Sequence, residues 1–356
     1  MSRCIFLGDW VQEKAVGVQR YALQILLELD RRLQDGSLKM DVELVVPKNA
    51  RWDNPFEKIS VKRVGSEKNK VEKYIWQHWS FPRYVRKNHG IGIDLTGALP
   101  VWGCDICAIH DCIADAYPEN FEGHELFRRI QVIKERRSMR VRKRRIVTLT
   151  NDSKAEINRY HVNRDDRVSI VTCGWEHMND IISDEKIFQK IPQIEAGKYF
   201  FSLGSRYRHK NFQWIVKCAR KNPGYQFVIT GTDAFSSADR DIQENKPQNL
   251  IFTGYISDGE IKALMQHCKA LIQPSLYEGF GLPPLEALSV GAPIIVSNRS
   301  CFPEIYRQAA HYIDPFSDGC DLDLLLSEKT EDPADILREY SWKHAAEQLT
   351  TVMEKF

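Results

Sequence analysis

Short apolar runs alternate with segments of helical periodicity along most of the chain. Residues 4–8 and 42–47 are apolar enough to form buried strands. The segment between them predicts a helix with an apolar face made of Tyr21, Ile25, Leu26, Leu29 and Leu33. Further strands are predicted at 91–95, 106–109, 146–150 and 168–171. Strands separated by helices favour a parallel sheet covered on both faces.

The alternation of apolar runs and helical segments is interrupted and then resumes in the second half of the chain. Residues 181–197 include Pro192 and have little apolar periodicity, which predicts a linker. Ser257 and Glu260 have the spacing of a helix capping box, and a last helix opens at Ser341. Strands are predicted at 199–203, 226–230, 250–253, 270–273, 293–296 and 311–313. The organisation expected is an α/β domain at 1–180, a second at 198–340 and a C-terminal helix at 341–356.

Length and composition agree with this organisation. The 356 residues suffice for two domains that each bury a core. The first residues lack the features of a signal peptide, and no apolar run approaches the ~18 residues of a spanning helix, so a cytoplasmic protein is expected. The nine cysteines are scattered, which is typical of reduced thiols.

Charge is unevenly distributed although the net charge is only +2. Between Arg128 and Arg145, ten basic residues accompany one acid, Glu135. This segment is either a solvated helix face or a surface that meets anionic lipid or a diphosphate-bearing acceptor, which would place the protein peripherally at the inner face of the cell membrane. A nucleic-acid partner is disfavoured because no aromatic stacking platform accompanies the charge.

Potential metal ligands occur, but their context does not favour a metal site. Cys104, Cys107 and His110 are read as part of a buried strand without a second ligand pair. Two Asp-x-Asp pairs follow no apolar strand and are interpreted as surface charge: Asp239 with Asp241, and Asp321 with Asp323. No metal and no other cofactor is expected.

The most informative stretch is PSLYEGFGLPPLEALSVGAP, residues 274–293. Gly279 and Gly281 lie at a predicted strand-to-helix turn, where the missing side chain lets the backbone approach a ligand. A helix beginning there favours an anion such as a diphosphate. The carboxylates Glu278 and Glu286, eight residues apart, are suited to accept hydrogen bonds from sugar or ribose hydroxyls.

This string resembles the E-x7-E motif of family 4 glycosyltransferases, which are retaining enzymes of the GT-B architecture. The resemblance implies two facing Rossmann-like domains, with the C-terminal helix packing back on the N-terminal domain. It also implies that Glu278 contacts donor-sugar hydroxyls and that Glu286 holds the ribose. The backbone that would contact sugar and diphosphate is that of Gly279, Phe280, Gly281 and Leu282.

A second match is SLGSRYRHKNF, residues 202–212. The family has a glycine there, then an arginine and a Lys-Asn pair, and the cations stabilise the leaving diphosphate. By resemblance these positions are Gly204, Lys210 and Asn211. Ser205 holds the place most often taken by the arginine, so Arg206 or Arg208 must supply that charge. A site without metal needs such cations to neutralise the departing group.

A third match, NLIFTGYISDGEI at residues 249–261, borders the nucleotide base in the family. Gly254, Tyr255 and Ile256 are the candidates there, although Tyr255 is equally compatible with a core position.

The first domain carries weaker matches. Residues 15–26 resemble the family's acceptor-side loop, in which Gly17 and Arg20 are candidates. His110 and Asp111 match a His-Asp pair near the reaction centre, at a strand end where open α/β sheets bind ligands. Residues 149–153 resemble a turn that lines the cleft.

These features predict transfer of a sugar from a nucleoside-diphosphate sugar to a glycan or lipid-linked acceptor, with retained anomeric configuration. The strings SRYRHKNF and YEGFGLPPLE together resemble those of mannosyl and related transferases of bacterial polysaccharide assembly, and this resemblance favours a GDP-sugar such as GDP-mannose as donor. A sugar-nucleotide epimerase on the same scaffold would lack the complete 278–286 string, and a phosphorylase would need a longer chain. A non-catalytic sugar-binding protein would release no nucleoside diphosphate.

Overall fold

The computed structural model describes residues 3–13, 17–100, 104–121, 129–130, 132–133, 144–204, 207–232 and 245–356. They form two compact units, one of Met1–Cys173 with Ser341–Phe356 and one of Gly174–Tyr340. Each unit contains one sheet, in which every described strand pairing is parallel. The predicted α/β class with two parallel sheets is therefore confirmed.

The sheet of the first unit has seven strands in the order β3-β2-β1-β4-β5-β6-β7. Its central strands are apolar and buried, as the hydrophobic runs predict. One edge strand, β3, was not expected because its sequence SVKR is largely polar and partly exposed. The strands are β1 (Arg3–Leu7), β2 (Asp41–Val46), β3 (Ser60–Arg63), β4 (Ile91–Asp94), β5 (Ile106–Ala108), β6 (Arg145–Thr148) and β7 (Val168–Ile170).

Helices flank this sheet. The first follows Gly17 and buries the apolar face expected from its periodicity. A π-helix at Trp76–Ser80 joins two short α-helices into one continuous segment. The α-helices described in this part of the chain are α1 (Val18–Gln34), α2 (Lys70–Ile75), α3 (Phe81–Lys87), α4 (Ile113–Ala116) and α5 (Asn151–Arg159).

The sheet of the second unit has six strands in the order β10-β9-β8-β11-β12-β13. In this unit the chain begins at the central strand β8 and adds β9 and β10 on one side. It then returns to the centre and adds β11, β12 and β13 on the other side. The order therefore reverses between β8 and β11, and ligands of open α/β sheets bind at such a switch point. The strands are β8 (Tyr199–Ser202), β9 (Gln226–Ile229), β10 (Leu250–Phe252), β11 (Ala270–Gln273), β12 (Ile294–Ser297) and β13 (His311–Ile313).

Helices alternate with these strands. The predicted capping box is confirmed, since Ser257 accepts from the Glu260 amide and the Glu260 carboxylate accepts from the Ser257 amide. The helices described are α6 (His177–Asp180), α7 (Ile187–Lys190), α8 (Phe212–Lys221), α9 (Asp258–His267), α10 (Leu282–Ser289), α11 (Phe302–Tyr306), α12 (Leu322–Ser327) and α13 (Ala334–Glu339).

The segment 181–197, expected to be a linker, lies inside the second unit, and the boundary between the units falls after Cys173. Polar contacts hold the segment against α9. Lys262 Nζ donates to the Ile181 carbonyl at 2.8 Å, and the Asp184 amide donates to the Gly259 carbonyl at 3.0 Å. Backbone anchoring of this kind gives no apolar periodicity, so the sequence pattern could not reveal it.

The C-terminal helix α14 (Trp342–Met353) belongs to the first unit, where it packs on α1. Arg32 donates to Thr350 Oγ1 at 3.1 Å, and the rings of Tyr21 and Trp342 meet edge to face at 6.2 Å. The prediction that this helix packs back on the N-terminal domain is confirmed.

None of the helices in the described ranges is both long and apolar enough to cross a bilayer. Most of the basic segment 128–145 lies outside those ranges, and so do Ser205, Arg206, Asp239 and Asp241.

Candidate active site

The switch point of the second sheet brings together two loops that the sequence singled out. One follows β8 and carries Lys210, at the end of a 3₁₀ turn; the other follows β11 and carries Glu278. The Leu276 amide donates to the carbonyl of His209 at 2.6 Å, so the backbones of the two loops are joined directly.

Asn211 holds this junction from the other side. Its side-chain amide donates to the carbonyls of Pro274, at 3.1 Å, and Pro315, at 2.8 Å. The residue has a φ of 55°, a left-handed conformation that asparagine tolerates better than most residues, and the next helix begins directly after it. Asn211 was expected to bind donor; the structure places its amide on the protein backbone, where it fixes the loop that presents Lys210.

Glu278 is the centre of a polar network. Lys210 Nζ lies 2.7 and 2.8 Å from its two carboxylate oxygens, and Ser275 and Gln273 each donate to Oε1 at 2.7 Å. Burial alone would raise the pKa of the Glu278 carboxyl, but the Lys210 ammonium and the hydrogen bonds outweigh burial and hold that pKa below its usual value. The site therefore holds an ionised carboxylate beside an ammonium group.

Packing and hydrogen bonds fix the conformation of the glycine turn that follows. Gly281 has a φ of +80° and ends the turn at the start of α10. A Cβ atom added there would lie 2.4 Å from Cε1 of Phe302, so conformation and packing both require glycine. The carbonyls of Phe280 and Gly281 accept from the Cys301 thiol and the Tyr306 hydroxyl, which fixes their orientation.

The start of α10 offers fewer backbone donors than an ordinary helix. Leu282 is its first residue, and Pro283 and Pro284 follow without N–H groups. An anion at this turn consequently depends more on Lys210 than on the helix itself.

Two cavities adjoin at Gly204. One, of about 190 Å³, is lined by Gly204, Lys210, Gln273 and Ser275 among others. The other, of about 200 Å³, is lined by Gly204, Phe212, Ile229, Thr230, Gly231, Thr232, Phe252 and Tyr255. The Gly204 amide donates to Thr230 Oγ1 at 2.8 Å, and an added Cβ would lie 2.0 Å from the Thr230 carbonyl oxygen, so only glycine fits between the cavities.

One of the three residues expected beside the nucleotide base, Tyr255, lines the second cavity. Tyr255 is 95% exposed, which excludes the core alternative. Gly254 has a φ of +70° and pairs with Gly231 through two backbone hydrogen bonds of 2.9 Å, so it shapes the wall. Ile256 is partly buried and does not line the described cavity.

Glu286 lies within α10 and is buried. Its Oε1 is 2.9 Å from Nε2 of His177, which is also buried and lies in α6. Sequence reasoning missed His177, because one histidine after β7 carries no periodicity or spacing that points to a partner so far along the chain.

The first-unit candidates lie near the carboxyl ends of β1 and β5. His110 Nε2 is 2.9 Å from the Leu95 carbonyl, and its ring meets Tyr21 edge to face at 4.8 Å. Burial lowers the pKa of the His110 imidazole and outweighs the opposite effects of the Leu95 carbonyl and Asp111. Asp111 Oδ1 accepts from the Ile113 amide at 2.9 Å, at the start of α4.

The remaining candidates of the first unit are at helix starts. Gly17 precedes α1 with a φ of +52°, and Arg20 lies in its first turn, partly exposed. The turn at 149–153 is a helix cap, in which Thr150 Oγ1 accepts from the Ser153 amide at 3.1 Å.

The potential metal ligands have structural partners. The Sγ atoms of Cys104 and Cys107 lie 3.3 Å apart in the buried strand region, and Asp321 caps α12 by accepting from the Asp323 and Leu324 amides. Within the described ranges, no three His, Cys, Asp or Glu side chains are grouped so that they could hold a metal ion.

Known sequences resemble the chain in this region and over most of its length. The family described as "Glycosyl transferases group 1" matches residues 183–318, which include Lys210, Glu278 and Glu286. O-antigen chain mannosyltransferase RfbU of Salmonella typhimurium is 23% identical over 320 residues, covering 85% of this chain and 84% of the relative.

Solved structures share the fold. Sucrose-phosphate synthase from Thermosynechococcus elongatus superposes with a TM-score of 0.71 at 15% identity, covering 100% of this chain and 99% of that one. Anabaena HepE in complex with UDP and glucose gives 0.66 at 14% identity, with 100% of both chains covered. The fold is that of GT-B glycosyltransferases, and the matches together support glycosyltransferase activity.

Proposed function

We propose that this protein is a retaining glycosyltransferase that moves a hexose, with mannose favoured, from a nucleoside-diphosphate sugar to a glycan or lipid-linked acceptor without a metal ion. The observation that carries the proposal is the Lys210–Glu278 pair at the switch point, beside two adjoining cavities. An ionised acceptor of hydrogen bonds and a cation thus lie beside two adjoining cavities, and concave surfaces with a few convergent polar groups are where small ligands bind.

Each part of the site has a task in this reaction. Glu278 accepts hydrogen bonds from donor-sugar hydroxyls, and Lys210 turns its ammonium toward the diphosphate. The cavity at Thr230 and Tyr255 receives the nucleoside, with Gly204 allowing the chain of phosphates to pass close to the backbone. Arg206 or Arg208 adds a second cation; of the two, Arg208 is described and is exposed.

In the chemical step, the bond between the anomeric carbon and the diphosphate oxygen breaks while the acceptor oxygen bonds to that carbon on the same face. The acceptor hydroxyl gives its proton to the leaving phosphate oxygen. Lys210 stabilises the negative charge that develops there. His110, which its lowered pKa favours in the neutral form, positions the sugar or the phosphate.

The preference for a mannosyl donor rests on RfbU, a mannosyltransferase by name, and GDP-mannose is the donor proposed first. A UDP-sugar is the main competitor because HepE, which shares the fold, was solved with UDP and glucose.

A thermal-shift screen with UDP, GDP, ADP and dTDP tests donor binding, since a ligand at 100 times its Kd stabilises by about 2.7 kcal/mol. Release of nucleoside diphosphate from the matching sugar nucleotide then tests turnover. NMR assignment of an α-linked product from an α-configured donor supports retention, whereas a β-linked product indicates inversion. Absence of binding by all four nucleotides argues against the proposal as a whole.

A further inference from the structure

The helical segment after β3 exposes apolar side chains along one side. Val71, Ile75 and Trp79 are 68%, 49% and 70% exposed and occur at every fourth position, with Tyr74 beside them at 45%. These four side chains form the 71–79 stripe. We propose that the 71–79 stripe and the cations around it dock the first unit on an anionic lipid bilayer.

The stripe belongs to a segment that is firmly attached to the unit. Trp76 and His78, in the same helical segment, are buried, and Trp76 Nε1 donates to the Val64 carbonyl at 2.5 Å. The Tyr74 ring packs over the His78 ring with centroids 4.1 Å apart. The exposed side chains consequently project from an ordered surface, and their exposure does not come from fraying.

The charges around the stripe have one dominant sign. Residues 62–87 contain eight Lys and Arg against two acids, Glu67 and Glu72. Both acids are occupied within the unit: Glu67 lies 3.6 Å from Lys73 Nζ, and Glu72 accepts from the Ser66 hydroxyl and the Lys68 amide. The exposed cations at the two ends of the segment are Lys68, Lys70, Arg83, Arg86 and Lys87.

This combination matches the chemistry of a bilayer surface. Large apolar side chains enter the boundary between head groups and acyl chains, and tryptophan and tyrosine prefer that boundary. Lysine and arginine beside them are attracted to anionic head groups. A protein partner would be expected to supply acids opposite these cations and pockets for the apolar groups, and a second copy of this chain would bring like charges together.

The proposal goes beyond the proposed transferase function and does not depend on it, because the test measures binding without turnover. The protein is sedimented with vesicles of phosphatidylcholine alone and with vesicles that contain phosphatidylglycerol as well. We expect binding to the second kind only, weakening as salt is added. Failure to bind anionic vesicles at low salt overturns the proposal.

Variants locate the surface. We expect Ile75→Glu with Trp79→Glu to lower partitioning onto anionic vesicles by about tenfold or more. Ile182→Glu is the matched control, since Ile182 is 87% exposed in the second unit and lies outside the stripe. Equal binding by the stripe variant and the wild type would overturn the assignment.

Two further measurements distinguish membrane docking from misfolding and from self-association. The milder variant Trp79→Ser should also bind anionic vesicles less than the wild type, with a smaller loss, if the stripe inserts into the bilayer. Circular dichroism of this variant shows whether it is folded, which excludes misfolding as the cause of the loss. Sedimentation velocity without vesicles reports self-association, and a dimer that the stripe variant dissociates would assign this surface to a second copy instead.

Discussion

His177 and Glu286 are 109 residues apart in the chain, and their side chains meet in the interior of the second unit with Nε2 2.9 Å from Oε1. The contact joins α6, which follows the unit boundary, to α10, which follows the glycine turn. Glu286 therefore has a structural partner in addition to the ribose contact proposed for it.

We expect Glu286→Ala to weaken nucleotide binding and also to lower the free energy of unfolding by about 1–3 kcal/mol, because the buried imidazole loses this contact. His177→Gln, which keeps a polar side chain, is expected to raise the donor KM with a smaller loss of stability. Calorimetric titration with nucleotide and urea unfolding give the two quantities separately. If His177→Gln leaves donor affinity unchanged, the histidine has no part in positioning Glu286.

Removal of the Lys210 ammonium leaves an ionised carboxylate without its main partner. We expect Lys210→Met to reduce donor affinity and turnover together, and to destabilise the fold by roughly 1–3 kcal/mol near neutral pH. Lys210 lowers the pKa of Glu278 in the folded state. The stabilisation that Lys210 provides is therefore fully present at pH values above the ordinary carboxyl pKa, and it is lost as the pH falls through the pKa that Glu278 has in the folded protein.

The stability difference between wild type and Lys210→Met should accordingly shrink as the pH falls below about 4. Urea unfolding of both proteins across the acid range measures it. Lys217→Met is a suitable control, because the Lys217–Asp318 pair is more exposed on both sides. A difference that stays constant down to the lowest pH would show that electrostatics with Glu278 is not its origin.

The glycine turn gives a test of local geometry. Gly281→Ala is expected to cost more than about 2 kcal/mol of stability, because it combines a positive φ with a Cβ that lies 2.4 Å from Phe302. Gly291→Ala has a similar φ of +84° with open space around the Cβ, so it should show only the conformational cost of about 1 kcal/mol. Equal losses in urea unfolding would mean that Phe302 moves away freely.

Chelation tests the role given to Lys210 and the nearby arginine. We expect turnover with the preferred sugar nucleotide to survive treatment with EDTA, because diphosphate charge is assigned to side chains and the turn before α10. Loss of nucleoside-diphosphate release, restored by magnesium or manganese, would contradict that assignment.

Local patterns predicted the parts of the fold that are encoded locally. Apolar runs located the buried strands, and the Ser257–Glu260 spacing located a helix start. The sequence pattern did not predict the polar edge strand β3, because the backbone pairing of β3 with β2 needs no apolar side chains. The Lys210–Glu278 contact follows from two strand ends at one switch point once the strand order is known, but the partner of Glu286 depends on packing between distant segments.

The first unit is discontinuous in sequence, since α14 completes it after the whole second unit. During synthesis, β1 to β7 leave the ribosome long before the helix that covers α1. Until then α14 is not yet available to pack on α1. The second unit contains all of its own strands and helices by Tyr340 and can complete its fold first. The sequence of the second unit is therefore complete before that of the first, although the sheet of the first unit begins earlier.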